Sequence, residues 1–230
     1  LDHQKAYRAE MLLGLTSDTQ DLTGEILTRN RVSGITEEKL LRAFEQFVGP
    51  VEQVTPAYSA AKHHGKKLYQ LAREGAPVPR KVRQVFIHKI SLFRVYSSEK
   101  YPRVIFDVVC SKGTYIRTLC SDLGKVLGPG AVMSFLVRTA SGPFSLEKTV
   151  SFEEIAESLK NGSDEFLTPM NVLVNHLPIA ELRSEAIRYV KNGAAVNGRH
   201  FTVKDEINDE ALIRLEHNHQ LIGIGTFIKD

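Results

Sequence analysis

The 230-residue sequence predicts an α+β protein: a mixed, mainly antiparallel sheet flanked by helices, with a small β-rich module at the C-terminal end. Three observations predict it. Residues 82–96 and 101–110 read as two long strands joined by the polar turn Ser97-Ser98-Glu99-Lys100, an antiparallel hairpin. Strand-like and helical segments do not alternate one for one, as a doubly wound parallel sheet requires. Near residues 175–178 the pattern changes to one helix and several short strands, in a stretch of about 50 residues, close to the size at which a domain needs docking to be stable. These readings divide the chain into residues 1–176 and residues 177–230.

The elements follow in order. Residues 5–14 read as a strand with Tyr7, Ala9, Met11 and Leu13 on one face. The loop Thr16-Ser17-Asp18-Thr19-Gln20-Asp21-Leu22-Thr23-Gly24 is rich in turn residues and lacks the ligand spacing of a calcium loop, so its carboxylates are expected to order its own backbone. Residues 25–29 read as a second strand. Thr36 can cap a helix carrying Leu40, Leu41, Phe44, Phe47 and Val48, stopped by Gly49-Pro50. Pro56 holds the next segment extended, and residues 66–74 read as a short helix ending at Gly75. Residues 132–139 return as a strand, and Ser151 with Glu154 forms a capping box for a helix to Leu159. In the tail, Ser184 starts a helix ended by Asn192-Gly193, followed by strands near 201–203, 211–216 and 220–228.

Composition narrows the function classes. Hydrophobic content of 42% supports a real core, and no apolar run approaches membrane-spanning length. Two cysteines, Cys110 and Cys120, make neither a disulfide framework nor a metal spacing, which fits a reducing, cytoplasmic setting. The net charge is only +3, with a pI near 8.8, so any polyanionic partner must be met by local clusters. Lys62-His63-His64-Gly65-Lys66-Lys67 and Arg80-Lys81-Val82-Arg83 are such clusters, and each taken singly reads equally as a solvated face. The adjacent histidines make a poor zinc pair, since neighbours do not easily share a metal and no third ligand is near. The sequence begins with Leu1 directly ahead of a strand, from which a piece of a longer or processed chain is expected.

The stretch Val109-Cys110-Ser111-Lys112-Gly113-Thr114-Tyr115-Ile116-Arg117-Thr118 joins a strand to a helix carrying Leu119, Leu123, Val126 and Leu127, which ends near Gly128-Pro129-Gly130. Thr114 is a candidate N-cap, which places Tyr115 and Arg117 in the first helical turn, where free N–H groups and the helix dipole favour anions. Spacing alone admits two readings, a binding site or a core tyrosine beside a loop-capping arginine.

Three blocks occur in order. The first is Lys5-Ala6-Tyr7 leading into Thr16-Ser17-Asp18-Thr19-Gln20-Asp21. The second is Tyr58-Ser59-Ala60-Ala61-Lys62 with Gly65-Lys66-Lys67-Leu68-Tyr69 and Ala72-Arg73-Glu74-Gly75. The third runs from Cys110 to Leu119 with Asp122-Leu123-Gly124, then Leu136, Arg138-Thr139 and Gly142-Pro143-Phe144. Together they resemble the bacterial tRNA pseudouridine synthase B (TruB) family, from Lys5 to about Asn175. The tail is similar, more weakly, to the RNA-binding PUA-like module such enzymes carry.

The resemblance implies the pseudouridine synthase fold and isomerisation of uridine 55 in the tRNA T-loop, without metal or organic cofactor, by a monomer whose partner is tRNA. It implies that Tyr7 stacks on the target base and handles its proton, that Arg117 pairs with the catalytic carboxylate, and that Tyr115 and Leu136 line the base. Read from the residues alone, Tyr7 is a strand aromatic, Tyr115 a helix aromatic and Leu136 plain core. Lys62, Lys66, Lys67, Arg80 and Arg83 are the candidates for RNA-backbone contact. The family's nucleophile is an Asp in a Gly-Thr-Leu-Asp-Pro segment, and these 230 residues do not contain that segment. Asp2 lacks its neighbours and is not given the role. The expectation is an enzyme, with these 230 residues inactive alone; the alternative is a tRNA-binding or tRNA-folding protein without catalysis.

Overall fold

The computed structural model describes residues 4–79, 81–97, 100–203 and 206–229. They form two compact units, Leu1–Thr149 and Val150–Asp230.

In the first unit the elements are β1 (Lys5–Leu13), β2 (Leu15–Ser17), β3 (Ile26–Arg29), α1 (Glu37–Glu45), β4 (Gly49–Val54), β5 (Lys62–His63), β6 (Lys66–Lys67), α2 (Leu68–Arg73), β7 (Val82–Tyr96), β8 (Arg103–Cys110), α3 (Ile116–Leu127), β9 (Ala131–Ser141) and β10 (Phe144–Ser145). Six strands make one sheet in the order β10-β9-β1-β8-β7-β4, every neighbour antiparallel. The expected hairpin is β7–β8, whose strand β8 pairs with β1 at the sheet's centre. Alternation then decides the faces: Ala9, Met11 and Leu13 of β1 and Val104, Phe106, Val108 and Cys110 of β8 are buried together. Helices α1 and α3 cover that face, contributing Leu40, Ala43 and Phe44, and Ile116, Leu119, Cys120 and Leu123. Each large aliphatic side chain buried this way stabilises the fold by roughly 1.5–3 kcal/mol. At Gly124 a Cβ would overlap the backbone of Ala131, so the glycine lets α3 lie directly on the start of β9.

Several local readings are corrected. α1 already ends at Glu45 with Gln46 as its cap, ahead of Gly49-Pro50, which instead opens the edge strand β4, where a proline without an N–H is tolerated. Thr36 caps α1 through its hydroxyl, yet Leu41 and Val48 fall outside the buried stripe and stay exposed. Residues 66–67 belong to the small β5–β6 hairpin rather than to a helix, so α2 begins at Leu68. The reading of a turn at Ser98-Glu99 lies outside the described residues.

The second unit contains α4 (Phe152–Lys160), β11 (Ile179–Leu182), α5 (Ile187–Lys191), β12 (Phe201–Val203), β13 (Leu212–His217) and β14 (Gln220–Thr226). The Ser151–Glu154 capping box is formed in both directions. Four strands make a sheet in the order β12-β11-β13-β14, with β11 and β13 parallel. The strand β11 was not anticipated; Ile179-Ala180-Glu181-Leu182 is too short for its alternation to stand out, and its partners, β12 and β13, both lie well beyond a local turn in sequence. No described helix is long and apolar enough to cross a membrane.

Candidate functional site

The site is built at the joint between β8 and α3. Gly113 takes φ +81° to turn the chain, and the helix then starts one residue later than expected, with Tyr115 at the cap and Arg117 in the first turn. Thr114 does not cap: its hydroxyl donates to the carbonyl of Ser111 at 2.9 Å. The cap is instead supplied across the fold by Gln53, at the end of β4 and only 1% exposed. Its Oε1 accepts from the Tyr115 N–H at 2.9 Å and its Nε2 donates to the Tyr115 carbonyl at 3.2 Å. A buried amide therefore satisfies one of the orphan donors of the helix start.

Arg117 draws three segments together. Its Nη1 donates to Asp21 Oδ2 at 2.9 Å and to the Thr19 carbonyl at 3.3 Å, and its Nη2 donates to the Tyr58 carbonyl at 2.7 Å. The two charged side chains are 22% and 15% exposed. Asp21 is equally committed. Its Oδ1 accepts from the Thr19 hydroxyl at 2.8 Å, the Thr23 hydroxyl at 2.6 Å and the Thr23 N–H at 3.0 Å. Burial pushes its carboxyl up, but the bonds from Thr23 and Thr19 and the Arg117 charge outweigh that and hold it below the ordinary carboxylate range.

The expectation that the carboxylates of the 16–24 loop order their own backbone holds for Asp18, which accepts from Glu25 N–H at 2.8 Å, and in part for Asp21. The pairing of Arg117 with an Asp of this same chain was missed. A signal existed in Thr19-x-Asp21-x-Thr23, an acid flanked by hydroxyls, but the arginine lies 96 residues on. The loop is pinned on two other sides. Gln20 and Leu22 exchange backbone hydrogen bonds with Met133 of β9, and the Thr118 hydroxyl donates to Gln20 Oε1 at 2.9 Å.

The remaining expected residues fall in two groups. Tyr7 of β1 lies opposite Arg138 of β9, whose guanidinium stands 5.5 Å from its ring centre, and Leu136 lies opposite Ala9 on the same face. Leu136 is 37% exposed, so the reading as plain core does not hold. Tyr115 carries Arg83 over its ring at 5.5 Å. Lys62, Lys66 and Lys67 are exposed on the β5–β6 hairpin, Lys67 and Arg73 both approach the Tyr69 ring, and the Lys81 Nζ donates to the Lys62 carbonyl at 3.2 Å. Arg80 and Asp2 lie outside the described residues. Among the described residues no group of three His, Cys, Asp or Glu is placed to hold a metal.

The fold and the joint define the class, a mixed, mainly antiparallel sheet flanked by helices with an arginine–carboxylate pair at a strand-to-helix turn. A family model described as the N-terminal domain of TruB family pseudouridylate synthase matches residues 1–116, and one described as the tRNA pseudouridylate synthase B C-terminal domain matches residues 117–175. The chain belongs to the TruB family, and the stretch from Lys5 to Asn175 on which the resemblance rested is the stretch these models cover. It is 43% identical over 227 residues to the tRNA pseudouridine synthase B of Moorella thermoacetica, covering 98% of this chain and 74% of that protein. With the protein of the same name from Alkaliphilus oremlandii it is 42% identical over 227 residues, covering 98% and 73%. Its fold is similar to that in the crystal structure of a Cbf5-Nop10-Gar1 complex, with TM-score 0.68, 24% identity and coverage of 98% of this chain and 60% of the other.

Proposed function

We propose that this chain supplies the base-positioning and RNA-binding parts of a tRNA pseudouridine synthase that isomerises uridine 55 in the T-loop. The observation that carries this is Arg117, held by Asp21, Thr19 and Tyr58 within the block that resembles the family's arginine segment. In the reaction the bond from N1 to the ribose C1′ breaks, the uracil turns, a bond forms from C5 to C1′, and the proton lost from C5 is matched by one gained at N1, so the change is an isomerisation. Tyr7 stacks on the extruded base, which contributes roughly 1–3 kcal/mol toward the cost of flipping it out. Tyr115 and Leu136 line the base. Arg117, forked and always charged, keeps the nucleophilic carboxylate ionised and aimed, while Asp21 fixes the arginine so that little freedom is lost when substrate arrives.

Recognition proceeds by shape and phosphate contact, through Lys62, Lys66, Lys67, Arg80 and Arg83. Residues 177–230 act as a PUA-like RNA-binding module, and the enzyme works as a cytoplasmic monomer without cofactor. Binding of a T stem-loop RNA is expected to weaken steeply as salt rises, and flat binding from low to moderate salt overturns the phosphate-contact reading.

Release of tritium from tRNA labelled at uridine C5 measures turnover. These 230 residues, which hold no Gly-Thr-Leu-Asp-Pro segment, are expected to bind the RNA and release no tritium; release by this chain alone overturns the assignment of the nucleophile to that segment. A protein in which the segment precedes this chain is expected to turn over. Binding without turnover there would favour the alternative, a tRNA-binding protein without catalysis.

A further inference from the structure

The β5–β6 hairpin carries a feature that phosphate contact by lysines leaves unused. Its turn is His64-Gly65, with φ +44° and +82°, the left-handed pair that a tight two-residue hairpin requires. Histidine is among the few non-glycine residues that adopt such a φ readily. The turn sets the His63 and His64 rings edge to face, 4.1 Å between centres. The charged groups around the pair are nearly all positive. Lys62, Lys66 and Lys67 belong to the hairpin, and Lys81 reaches the Lys62 carbonyl from the segment ahead of β7. From α2 and its cap come Arg73, over the Tyr69 ring, and Glu74, whose carboxylate approaches Lys66 Nζ at 3.5 Å. One acid, Glu74, thus stands among five cations. Burial, then His64, then Lys81 lower the proton affinity of His63, which favours the neutral imidazole in the free protein.

We propose that His63 is a proton-coupled phosphate-binding residue: it takes up a proton when the RNA backbone occupies the β5–β6 hairpin and then adds a cation to the contact. The reasoning is electrostatic. Phosphates arriving among Lys62, Lys66, Lys67 and Lys81 neutralise the field that disfavours the charged imidazole, and the imidazolium gains an anionic partner. By linkage, a group that binds protons more tightly in the complex makes the complex tighter as pH falls. The phosphodiester backbone stays fully ionised throughout, so the change originates in the protein. His64 shapes the turn and contributes repulsion in the free state.

The inference rests on the reading of this hairpin as part of the RNA interface, and the test separates the two. Affinity for a T stem-loop RNA is measured at constant ionic strength from pH 8 to pH 6 with the chain, with His63→Gln and with Lys66→Gln/Lys67→Gln. The wild-type chain is expected to bind about threefold or more tighter at pH 6 than at pH 8. His63→Gln is expected to lose most of that dependence while keeping affinity near the wild type at pH 8. Calorimetry in buffers of different ionisation heat should show proton uptake by the wild type that the variant lacks. Equal pH dependence in wild type and His63→Gln overturns the proposal and leaves the interface reading intact. If Lys66→Gln/Lys67→Gln binds as tightly as wild type with an unchanged salt slope, the interface reading itself fails, and the proposal with it.

Discussion

Two Arg–Asp pairs in the first unit have nearly the same chemistry and opposite surroundings. Arg8 and Asp107 face each other on adjacent strands, with Nε–Oδ1 and Nη2–Oδ2 both at 2.8 Å, and the guanidinium lies 3.7 Å from the Phe93 ring centre. By geometry this is the better pair. It stands on the sheet face opposite the helices, with side chains 41% and 39% exposed. Arg117 and Asp21 share a single contact of 2.9 Å, but the arginine is also held by the Tyr58 carbonyl, the acid by Thr19 and Thr23 of its own loop, and both are largely shielded from water. Screening and side-chain entropy reduce the first to a modest contribution, whereas removing one partner of the second leaves a charge with no solvent to take it. The position of an ion pair in the fold, more than its bond lengths, decides whether it is an organiser.

Perturbations of the two pairs give the sharpest tests. In a synthase containing this chain, Arg117→Ala is expected to lower turnover roughly 10²- to 10⁴-fold, corresponding to about 3–5 kcal/mol for breaking a shielded pair. Arg117→Lys should recover little, because a point cation cannot serve Asp21, Thr19 and Tyr58 at once. Near-normal tritium release by either variant would make the pair structural only. Next, Gln53→Leu orphans the buried Tyr115 N–H and should cost about 2–3 kcal/mol in denaturant unfolding, with early hydrogen exchange at the start of α3. A loss below half of that would show that the joint holds without its transplanted cap.

Asp21→Asn removes the charge but keeps the shape. Because the folded carboxyl of Asp21 sits below its ordinary value, its stabilisation is complete above the usual carboxylate range and fades as pH falls through the lowered value. The Tm gap between wild type and Asp21→Asn should therefore be widest near neutral pH and close toward strong acid, with about 2 kcal/mol at its widest. A gap that grows on acidification would mean that folding raises the Asp21 carboxyl rather than lowering it. The smallest effect belongs to Asp107→Ala, expected to cost below about 1 kcal/mol and to leave turnover unchanged. A larger loss would mean that the strand-face pair organises the sheet after all.

Much of this was legible in the residues. Alternation in 5–13 and 103–110, the stripe of α3 and the two capping residues Thr36 and Ser151 are local patterns, and local sterics and hydrogen bonding enforce them wherever the chain goes. The blocks around Tyr7, Lys62 and Arg117 carried the family in the same way. What local pattern could not contain was partnership across the chain. Gln53 reads as an unremarkable polar residue at the end of an edge strand, and only the packing of β4 against the joint makes it the cap of a helix 62 residues later. The fold likewise brings Asp21, a loop acid, to an arginine 96 residues away. The sequence by itself determined the strands, the helix and the cation at its first turn, because these depend on neighbours within a few residues. The tertiary structure decided which carboxylate that cation meets and how far water is excluded from them, because shielding and long-range contact exist only once the sheet and its loops have closed around the pair.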